Sequence, residues 1–147
     1  MDALFKENSL DMRAFQMMRG GCAMPPLDDR LLEKALKGAL FTITAVLEGK
    51  TIGMLRVVGD GAYVFLICDV LVLPEYRRHG LGSRLIELAL DRIESMLPAG
   101  MWATVNLFSA PGKEGFYRRL GFHALPNPHF GAGMQIILKA TGPRNML

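Results

Sequence analysis

The fold predicted from the sequence rests on residues 70–85, which read Val70-Leu-Val-Leu-Pro-Glu-Tyr-Arg-Arg-His-Gly-Leu-Gly-Ser-Arg-Leu85. It starts as the end of an apolar run, continues through a basic segment with two glycines, and ends where apolar residues take up helical spacing. A strand, a glycine-containing loop and a helix in this order form an anion site, because the first N–H groups of the helix point into the loop and the helix dipole adds partial positive charge. Gly80 and Gly82 let a ligand approach the backbone, and Arg77 and Arg78 add charged donors.

The segments on either side of this turn predict a mixed α/β fold. Residues 62–73 read almost continuously apolar, which is typical of a strand buried on both faces at the centre of a sheet. Residues 82–96 carry apolar side chains at helical spacing opposite charged ones, and they predict an amphipathic helix. Residues 41–47 and 51–58 are rich in β-branched side chains and are separated by Glu48-Gly49-Lys50, so they predict a hairpin.

Shorter elements are expected towards both ends of the chain. Two helices come first, one capped by Ser9 and stopped by Gly20-Gly21, the other opened by Asp28-Asp29 and ended by Gly38. After the long helix we expect a strand over residues 102–108, a helix over residues 113–120 and a last strand over residues 134–138.

Composition and charge describe one soluble globular domain. The 147 residues have a net charge of +3, 50% hydrophobic residues and a mean hydropathy of +0.22, and these values exclude disorder as the main state. No internal repeat, low-complexity tract or linker marks a second domain, so we expect residues 1–147 to form a single domain. The scattered basic residues are too few for a nucleic-acid footprint, and a small anionic ligand is expected instead.

The sequence carries no sign of export or membrane insertion. Its N-terminus lacks the apolar stretch of a signal peptide, and its longest apolar run is shorter than the about 18 residues that a spanning helix needs. Cys22 and Cys68 are too few for a disulfide framework, so a reducing cytoplasm is the expected compartment. Together with the three histidines they form no metal-ligand spacing, and we expect no metal site.

Two well-known phosphate motifs do not match the basic turn. The dinucleotide fingerprint needs a third glycine where Leu85 stands. The chain's Gly112-Lys113 pair lacks the upstream glycine of an ATP-binding loop, because Leu107 occupies that place. Neither NAD nor ATP binding is therefore supported.

What remains is the pattern Arg77-x-x-Gly80-x-Gly82 at a strand-to-helix junction, followed by Gly115-Phe-Tyr-Arg-Arg-Leu-Gly-Phe122. With these two motifs the sequence resembles the GNAT family of acetyl-CoA-dependent N-acetyltransferases. The resemblance extends over residues 41–138, and the two N-terminal helices are similar to the family's opening. It implies the GNAT fold, a mostly antiparallel sheet flanked by helices, with acetyl-CoA as cosubstrate.

The resemblance also implies which residues hold coenzyme A. It assigns the diphosphate to Arg77, Arg78, His79, Gly80, Leu81, Gly82 and Ser83, with Arg84 as a weaker candidate. It pairs the pantetheine arm with the backbone of Leu71 and Val72, and it implies that a backbone N–H near Leu71 stabilises the oxyanion. Asn106 either bonds the pantetheine arm, as in many relatives, or is an ordinary strand or turn residue.

Two side chains are candidates for catalysis. Tyr117 occupies the family's tyrosine position, whose hydroxyl protonates the departing thiolate of coenzyme A; the alternative is that Tyr117 and Phe116 are core aromatics. An amine acceptor with a pKa near 10 must lose a proton before it attacks. Asp69 is the ionisable side chain of the central strand, and it is either the general base or a structural anchor for a neighbouring loop.

From these features we expect an enzyme that transfers an acetyl group directly to the primary amine of a small molecule within a ternary complex. A covalent acetyl-enzyme is not expected, because Cys68 lies within an apolar strand. Met17, Met18 and Met24, together with residues 126–134, are expected on the acceptor side. The alternatives are a peptide or protein N-acetyltransferase and a non-catalytic acyl-CoA sensor, and the family analogy allows a homodimer.

Overall fold

The structure is a computed structural model that describes residues 1–140. The chain divides into two compact units, of which the first runs from Met1 to Phe108 and the second begins at Ser109. The elements in chain order are β1 (Leu4–Glu7), α1 (Met12–Gly21), α2 (Asp29–Lys37), β2 (Phe41–Leu47), β3 (Lys50–Gly59), β4 (Val64–Val72), a 3₁₀ turn (Pro74–Tyr76), α3 (Leu81–Met96), β5 (Thr104–Asn106) and α4 (Glu114–Arg119). The predicted mixed α/β class is confirmed.

The first unit is built on a five-stranded sheet in the order β1-β2-β3-β4-β5. Strands β1 to β4 are antiparallel neighbours, whereas β5 runs parallel to β4. Strand β5 pairs only with residues 64–66 of β4. Beyond Leu66, β4 therefore has a strand neighbour on its β3 side alone, within the part of the chain that the structure describes.

Helices α1 and α3 cover opposite faces of the sheet. Met54 of β3 belongs to the core cluster that contains Phe15 and Met18 of α1. The next position along the strand, Gly53, lies against α3, since a Cβ there would be 3.3 Å from Leu85 Cδ1. Successive residues of a strand point to opposite faces, so the two helices sandwich β3. The amphipathic pattern predicted for residues 82–96 is confirmed by α3, whose apolar stripe is buried.

The tight turns follow from residues that tolerate positive φ or cap the backbone. Glu48 and Gly49 have φ values of 48° and 78°, the combination that a two-residue hairpin with matching twist requires. The predicted hairpin is thus confirmed. At the next turn, the Asp60 carboxylate accepts the N–H groups of Ala62, Tyr63 and Val64. These bonds hold the pKa of Asp60 below its usual range.

The start of the chain differs from the prediction in two respects. Strand β1 was not anticipated, and helix α1 is capped by Asp11, which accepts the Ala14 N–H at 2.7 Å. Ser9, the predicted cap, instead bonds Thr44 across the sheet at 2.9 Å. Helix α1 ends at Gly21, the second residue of the glycine pair that was predicted to stop it. A Cβ at Gly21 would lie 2.6 Å from Leu73 Cδ2, so this glycine serves close packing of α1 on the end of β4.

The run over residues 62–73 is not the central strand. Strand β3 is the middle of the five, and β4 lies beside it. Burial also alternates along β4, with Phe65, Ile67 and Leu71 buried and the residues between them partly exposed. The prediction of a strand buried on both faces was wrong, because each buried side chain of β4 is followed by a partly exposed one on the opposite face.

Predictions for the later elements are mixed. Helices α2 and α4 have the predicted positions, with Asp28 and Gly38 as the caps of α2. The strand predicted over residues 102–108 is limited to Thr104–Asn106, the part that pairs with β4. The last strand, predicted over residues 134–138, is not formed, and its first side chain, Met134, is 91% exposed. An apolar run becomes a strand only with a ladder partner, and this segment has none among the described residues.

Candidate active site

The turn between β4 and α3 presents a set of free backbone donors. Gly80 is the N-cap of α3, with a left-handed φ of 77°. The first intrahelical bond runs from the Arg84 N–H to the Gly80 carbonyl at 3.0 Å. The N–H groups of Leu81, Gly82 and Ser83 therefore have no acceptor within the helix, and no side chain among residues 1–140 caps this end. Together with the helix dipole they favour an anion in front of the turn.

Basic side chains surround these donors. Arg77, Arg78 and His79 are all exposed, and Arg78 has a positive φ of 64°. His79 Nδ1 lies 2.8 Å from the Arg77 carbonyl, so this nitrogen carries the proton and donates it. A Cβ at Gly80 would meet nothing within 4 Å, which shows open space beside the backbone. The donor set and the space fit the diphosphate that was expected at this turn.

A β-bulge interrupts β4 just before the turn. Met54 lies opposite Leu71 and Arg56 opposite Cys68, so two residues of β4, Asp69 and Val70, face one residue of β3. Asp69 takes up the bulge with a φ of 53°. This is a left-handed conformation that is uncommon outside glycine, although aspartate tolerates it better than most residues.

The register beyond the bulge decides which backbone groups are accessible. The Leu73 N–H donates to the Ile52 carbonyl at 3.0 Å, and bonded residues alternate along an antiparallel ladder. Leu71 therefore directs its backbone groups to β3, and Val72 directs its groups away from β3. Two residues were predicted to pair with pantetheine through their backbones. The backbone groups of Leu71 are directed to β3, so Val72 is the one whose backbone groups are available to a ligand. The Val72 carbonyl already accepts from Arg77 Nε at 2.9 Å, and its N–H is the group that remains for a ligand.

The side chain of Asp69 is held by two arginines. Its Oδ2 accepts from Arg56 Nε at 2.8 Å, and its Oδ1 lies 3.5 Å from Arg19 Nη1. The carboxylate is 12% exposed, and burying it is tolerable because it is paired. These contacts are the ones that the anchoring alternative for Asp69 requires.

The sequence reasoning did not identify Arg19 or Arg56. The sequence does contain an indication of both, because each is a charged residue at a position where the pattern of apolar residues predicts burial. Arg56 lies within the apolar strand β3, and Arg19 follows Phe15 by four residues on the buried face of α1. A buried charge of this kind indicates a buried partner, and here the partner is Asp69.

Tyr117 lies in the second unit, on α4. Its ring packs edge-on against Phe116 at 5.0 Å and against Phe122 at 6.0 Å between centroids. Burial raises the pKa of the Tyr117 hydroxyl. The phenol therefore keeps its proton throughout the neutral range, as a proton donor must. The aromatic packing also agrees with the alternative, in which Tyr117 is a core residue of this unit.

The other residues predicted to contact a ligand, Asn106 and three methionines, differ in their exposure to solvent. Asn106 is the exposed last residue of β5, and both of its alternatives stay open. Met17 and Met24 are partly exposed, as the acceptor side requires, but Met18 is fully buried in the core. The prediction that Met18 lines an acceptor pocket was therefore wrong, because its side chain packs between α1 and the sheet.

Three further properties concern the cysteines, metals and membranes. Burial raises the pKa of the Cys68 thiol, so this group is predominantly protonated and a poor nucleophile at neutral pH. Among residues 1–140 no group of three or more potential ligand side chains is arranged to hold a metal ion. Over the same residues, every helix is too short or too polar to cross a bilayer.

Comparison with known proteins identifies the family. A family description for the acetyltransferase (GNAT) domain matches residues 39–124, more than half of the chain. The chain therefore belongs to the GNAT acetyltransferase family, and the resemblance seen in its two motifs is confirmed. A solved structure from meticillin-resistant Staphylococcus aureus, described as a protein of unknown function and probable acetyltransferase, is similar with a TM-score of 0.80 at 29% identity. The similarity covers 93% of this chain and 100% of that one.

Curated plant proteins are also similar to parts of the chain. The soybean (Glycine max) protein named histone acetyltransferase TAP1 is 40% identical over 79 residues, which is 54% of this chain and 32% of the soybean protein. The rice (Oryza sativa subsp. japonica) protein named serotonin N-acetyltransferase 2, chloroplastic, is 27% identical over 122 residues, 80% of this chain and 59% of the rice protein. The chain thus spans about a third to three fifths of these relatives.

Proposed function

We propose that this chain transfers the acetyl group of acetyl-CoA to the primary amine of a small molecule, directly and within a ternary complex. The observation that carries the proposal is the row of free N–H groups at Leu81, Gly82 and Ser83, beside two exposed arginines, in a chain of the GNAT family. A backbone row of this kind suits a diphosphate, which every acyl-CoA carries.

The site geometry supports a binding role for each of several groups. Acetyl-CoA supplies the activated acetyl group and the diphosphate by which it is held. The amides that open α3 bind that diphosphate, and Arg77, Arg78 and His79 add charge around it. The Val72 N–H faces the open side of β4 and binds the pantetheine arm.

The proposed chemistry requires a protonated Tyr117 hydroxyl and an unprotonated acceptor amine. Tyr117 donates its proton to the leaving thiolate, and the raised pKa of its hydroxyl keeps that proton available at the pH of the reaction. For Asp69 we propose the anchoring role, because two guanidinium groups engage both of its oxygens. The acceptor then enters as the free amine or loses its proton to water. Its reactive fraction consequently rises with pH towards its own pKa, about 10 for an alkyl amine.

The class of acceptor is supported by the names of the relatives. Serotonin, which the rice protein is named for, is a small primary amine, and this name supports the proposed acceptor. A protein acceptor is the second candidate, because the soybean relative is named a histone acetyltransferase. We place the activity in the cytoplasm, since both cysteines are free thiols, as a reducing compartment maintains.

The two compact units belong to one functional domain in this proposal. The family match runs from residue 39 to residue 124 and crosses the boundary between Phe108 and Ser109. Residues that we assign to cofactor binding lie in the first unit, and Tyr117 lies in the second. The expected single domain over residues 1–147 is therefore retained as part of the proposal.

The test combines binding with turnover. Calorimetric titration of acetyl-CoA into the full chain should give saturable heat at one site. Release of free thiol should then be measured across small amines, amino acids, polyamines, aminoglycosides and peptides. Turnover with a small amine supports the proposal, turnover with peptides alone supports the protein acceptor, and binding without release for any amine would leave a non-catalytic acyl-CoA sensor. An absence of heat would refute the assignment of the turn.

A further inference from the structure

Arg19 joins two segments that are far apart in sequence. Its Nη2 donates to the Pro25 carbonyl at 2.7 Å, and its Nη1 lies 3.5 Å from the Asp69 carboxylate. Pro25 belongs to the loop between α1 and α2, whereas Asp69 forms the bulge of β4. A single buried guanidinium thus connects the loop assigned to the acceptor side with the strand assigned to acetyl-CoA.

Arg56 provides a second connection to the same carboxylate. Its Nε bonds Asp69 at 2.8 Å, and its Nη1 donates to the Ala35 carbonyl of α2 at 3.2 Å. The guanidinium also lies over the Phe15 ring of α1, 5.8 Å from the centroid. Asp69 therefore contacts α1 directly through Arg19, and it contacts α2 indirectly through Arg56 of β3.

Stability alone gives a weak reason for this arrangement. A buried cluster of charges is frequently no more stable than well-packed apolar side chains of the same size. Arg19 is 7% exposed, and its Nε has no hydrogen-bond partner within the described part of the chain. Asp69 also takes a left-handed φ that an apolar side chain would accept poorly. What the cluster does provide is a charged contact for each carboxylate oxygen of the bulged residue.

We propose that Arg19 is a positioning residue, which through Asp69 sets the bulge of β4 and so turns the Val72 N–H towards the pantetheine arm of acetyl-CoA. Through Pro25 the same guanidinium ties the α1–α2 loop to that point, so the acceptor side and the cofactor strand share one anchor. The inference rests on the proposed function, because the direction of Val72 matters only for a bound acyl-CoA. Arg19 touches neither substrate in this scheme.

The experiment separates the two halves of the cofactor. The full-length wild type and Arg19→Met are titrated calorimetrically with acetyl-CoA and with 3′-phospho-ADP, which contains the diphosphate but no pantetheine. Methionine keeps the length of the side chain, and Asp69 keeps its pairing with Arg56. The matched control is Arg30→Met, which removes a 92% exposed arginine of α2.

We expect Arg19→Met to weaken acetyl-CoA binding about tenfold and to lower kcat/KM by about 10- to 100-fold, as misplacement of a binding group by about 1 Å does. Binding of 3′-phospho-ADP should stay within about twofold of the wild type, since the turn at residues 80–83 is not anchored by Arg19. The double variant Arg19→Met/Asp69→Asn should lose no more than Asp69→Asn alone, because Arg19 acts through Asp69. Arg30→Met should behave as the wild type.

A purely structural role for Arg19 gives a different result. Loss of fold stability without a positioning role would weaken both ligands in the same proportion, or would lower the melting temperature and leave both affinities unchanged, and either result overturns the inference. If Arg19→Met is unfolded at the assay temperature, Arg19→Gln replaces it, since glutamine keeps a polar side chain at this position but loses the ion pair with Asp69, and the same separation of ligands is expected. A wild type that binds neither ligand refutes the proposed function itself.

Discussion

Arg77 donates from its Nε to the carbonyl of Val72 at 2.9 Å, so two residues assigned to different parts of coenzyme A are bonded to each other. The bond holds the guanidinium at the end of β4. The Cys22 thiol also donates to the Val72 carbonyl, with an Sγ–O distance of 3.5 Å. Arg77 therefore supports the strand end as well as contributing charge to the turn, whereas Arg78 contributes charge alone.

This relationship predicts unequal effects of the two arginines. Arg77→Ala should weaken acetyl-CoA binding about tenfold, because it removes both a charged donor to phosphate and the support of the Val72 carbonyl. Arg78→Ala should weaken binding by no more than about fivefold, the range of an exposed ion pair, and its effect should shrink at high salt. Calorimetry at two salt concentrations measures both, with Arg30→Ala as the control. Equal losses in both variants would contradict the supporting role of Arg77.

Tyr117→Phe should lower turnover by roughly 10²-fold and leave acetyl-CoA affinity nearly unchanged, because phenylalanine keeps the aromatic packing and loses only the proton donor. Steady-state kinetics and calorimetry on the same preparation measure the two quantities. Tyr63→Phe, at an exposed tyrosine of the first unit, is the control. Turnover equal to the wild type in Tyr117→Phe would reduce this residue to a core aromatic.

The pH dependence of the same residue has a defined sign. Because burial raises the pKa of Tyr117 above its ordinary value of about 10, the acid form persists through pH 9, and turnover should rise with the fraction of free amine rather than fall. The raised pKa of Tyr117 also contributes to the free energy of unfolding. This contribution is fully present below about pH 10, and it is lost as the pH rises through the pKa of the folded state. Alkaline unfolding, followed by circular dichroism, should accordingly be less steep in Tyr117→Phe.

The parts of the fold that the sequence predicted are those that depend on local patterns. Apolar side chains recur at helical spacing along α3. The hairpin at Glu48-Gly49 is determined by two residues that adopt positive φ. The glycine turn at Gly80 is local for the same reason. Each of these elements is decided by neighbours within a few residues, so the sequence suffices.

The parts that it did not predict depend on distant partners. Strand β1 exists because residues 4–7 pair with β2, some 40 residues away, and residues 134–138 are apolar but do not acquire a ladder partner within the described chain. The ion pairs of Asp69 join residues 13 and 50 positions apart. The sequence therefore left two roles for Asp69 open, and only the fold supplies the arginines that favour one of them.

Asp69→Asn tests that choice directly. If Asp69 anchors the bulge, the variant should lose activity but keep the shape of the wild-type pH profile of kcat/KM, since no proton acceptor has been removed. It should also be less stable than Arg19→Met, because two arginines lose their anion at once, whereas in Arg19→Met the carboxylate keeps Arg56. A profile whose acidic limb disappears in Asp69→Asn would instead assign the general base to this carboxylate.

Gly59, at the end of β3, tests the close packing of the β3–β4 turn without touching the site. Its φ is 151°, and a Cβ there would overlap the Val64 carbonyl oxygen, a backbone atom that cannot move aside on its own. Gly59→Ala should therefore lower the free energy of unfolding by about 1–3 kcal/mol. Gly20→Ala is the matched control, because a Cβ at this position of α1 meets nothing within 4 Å, and alanine should raise stability by up to about 1 kcal/mol. Urea unfolding of both variants measures the difference, and similar stabilities would show that the turn at residues 59–64 relaxes to accept a side chain.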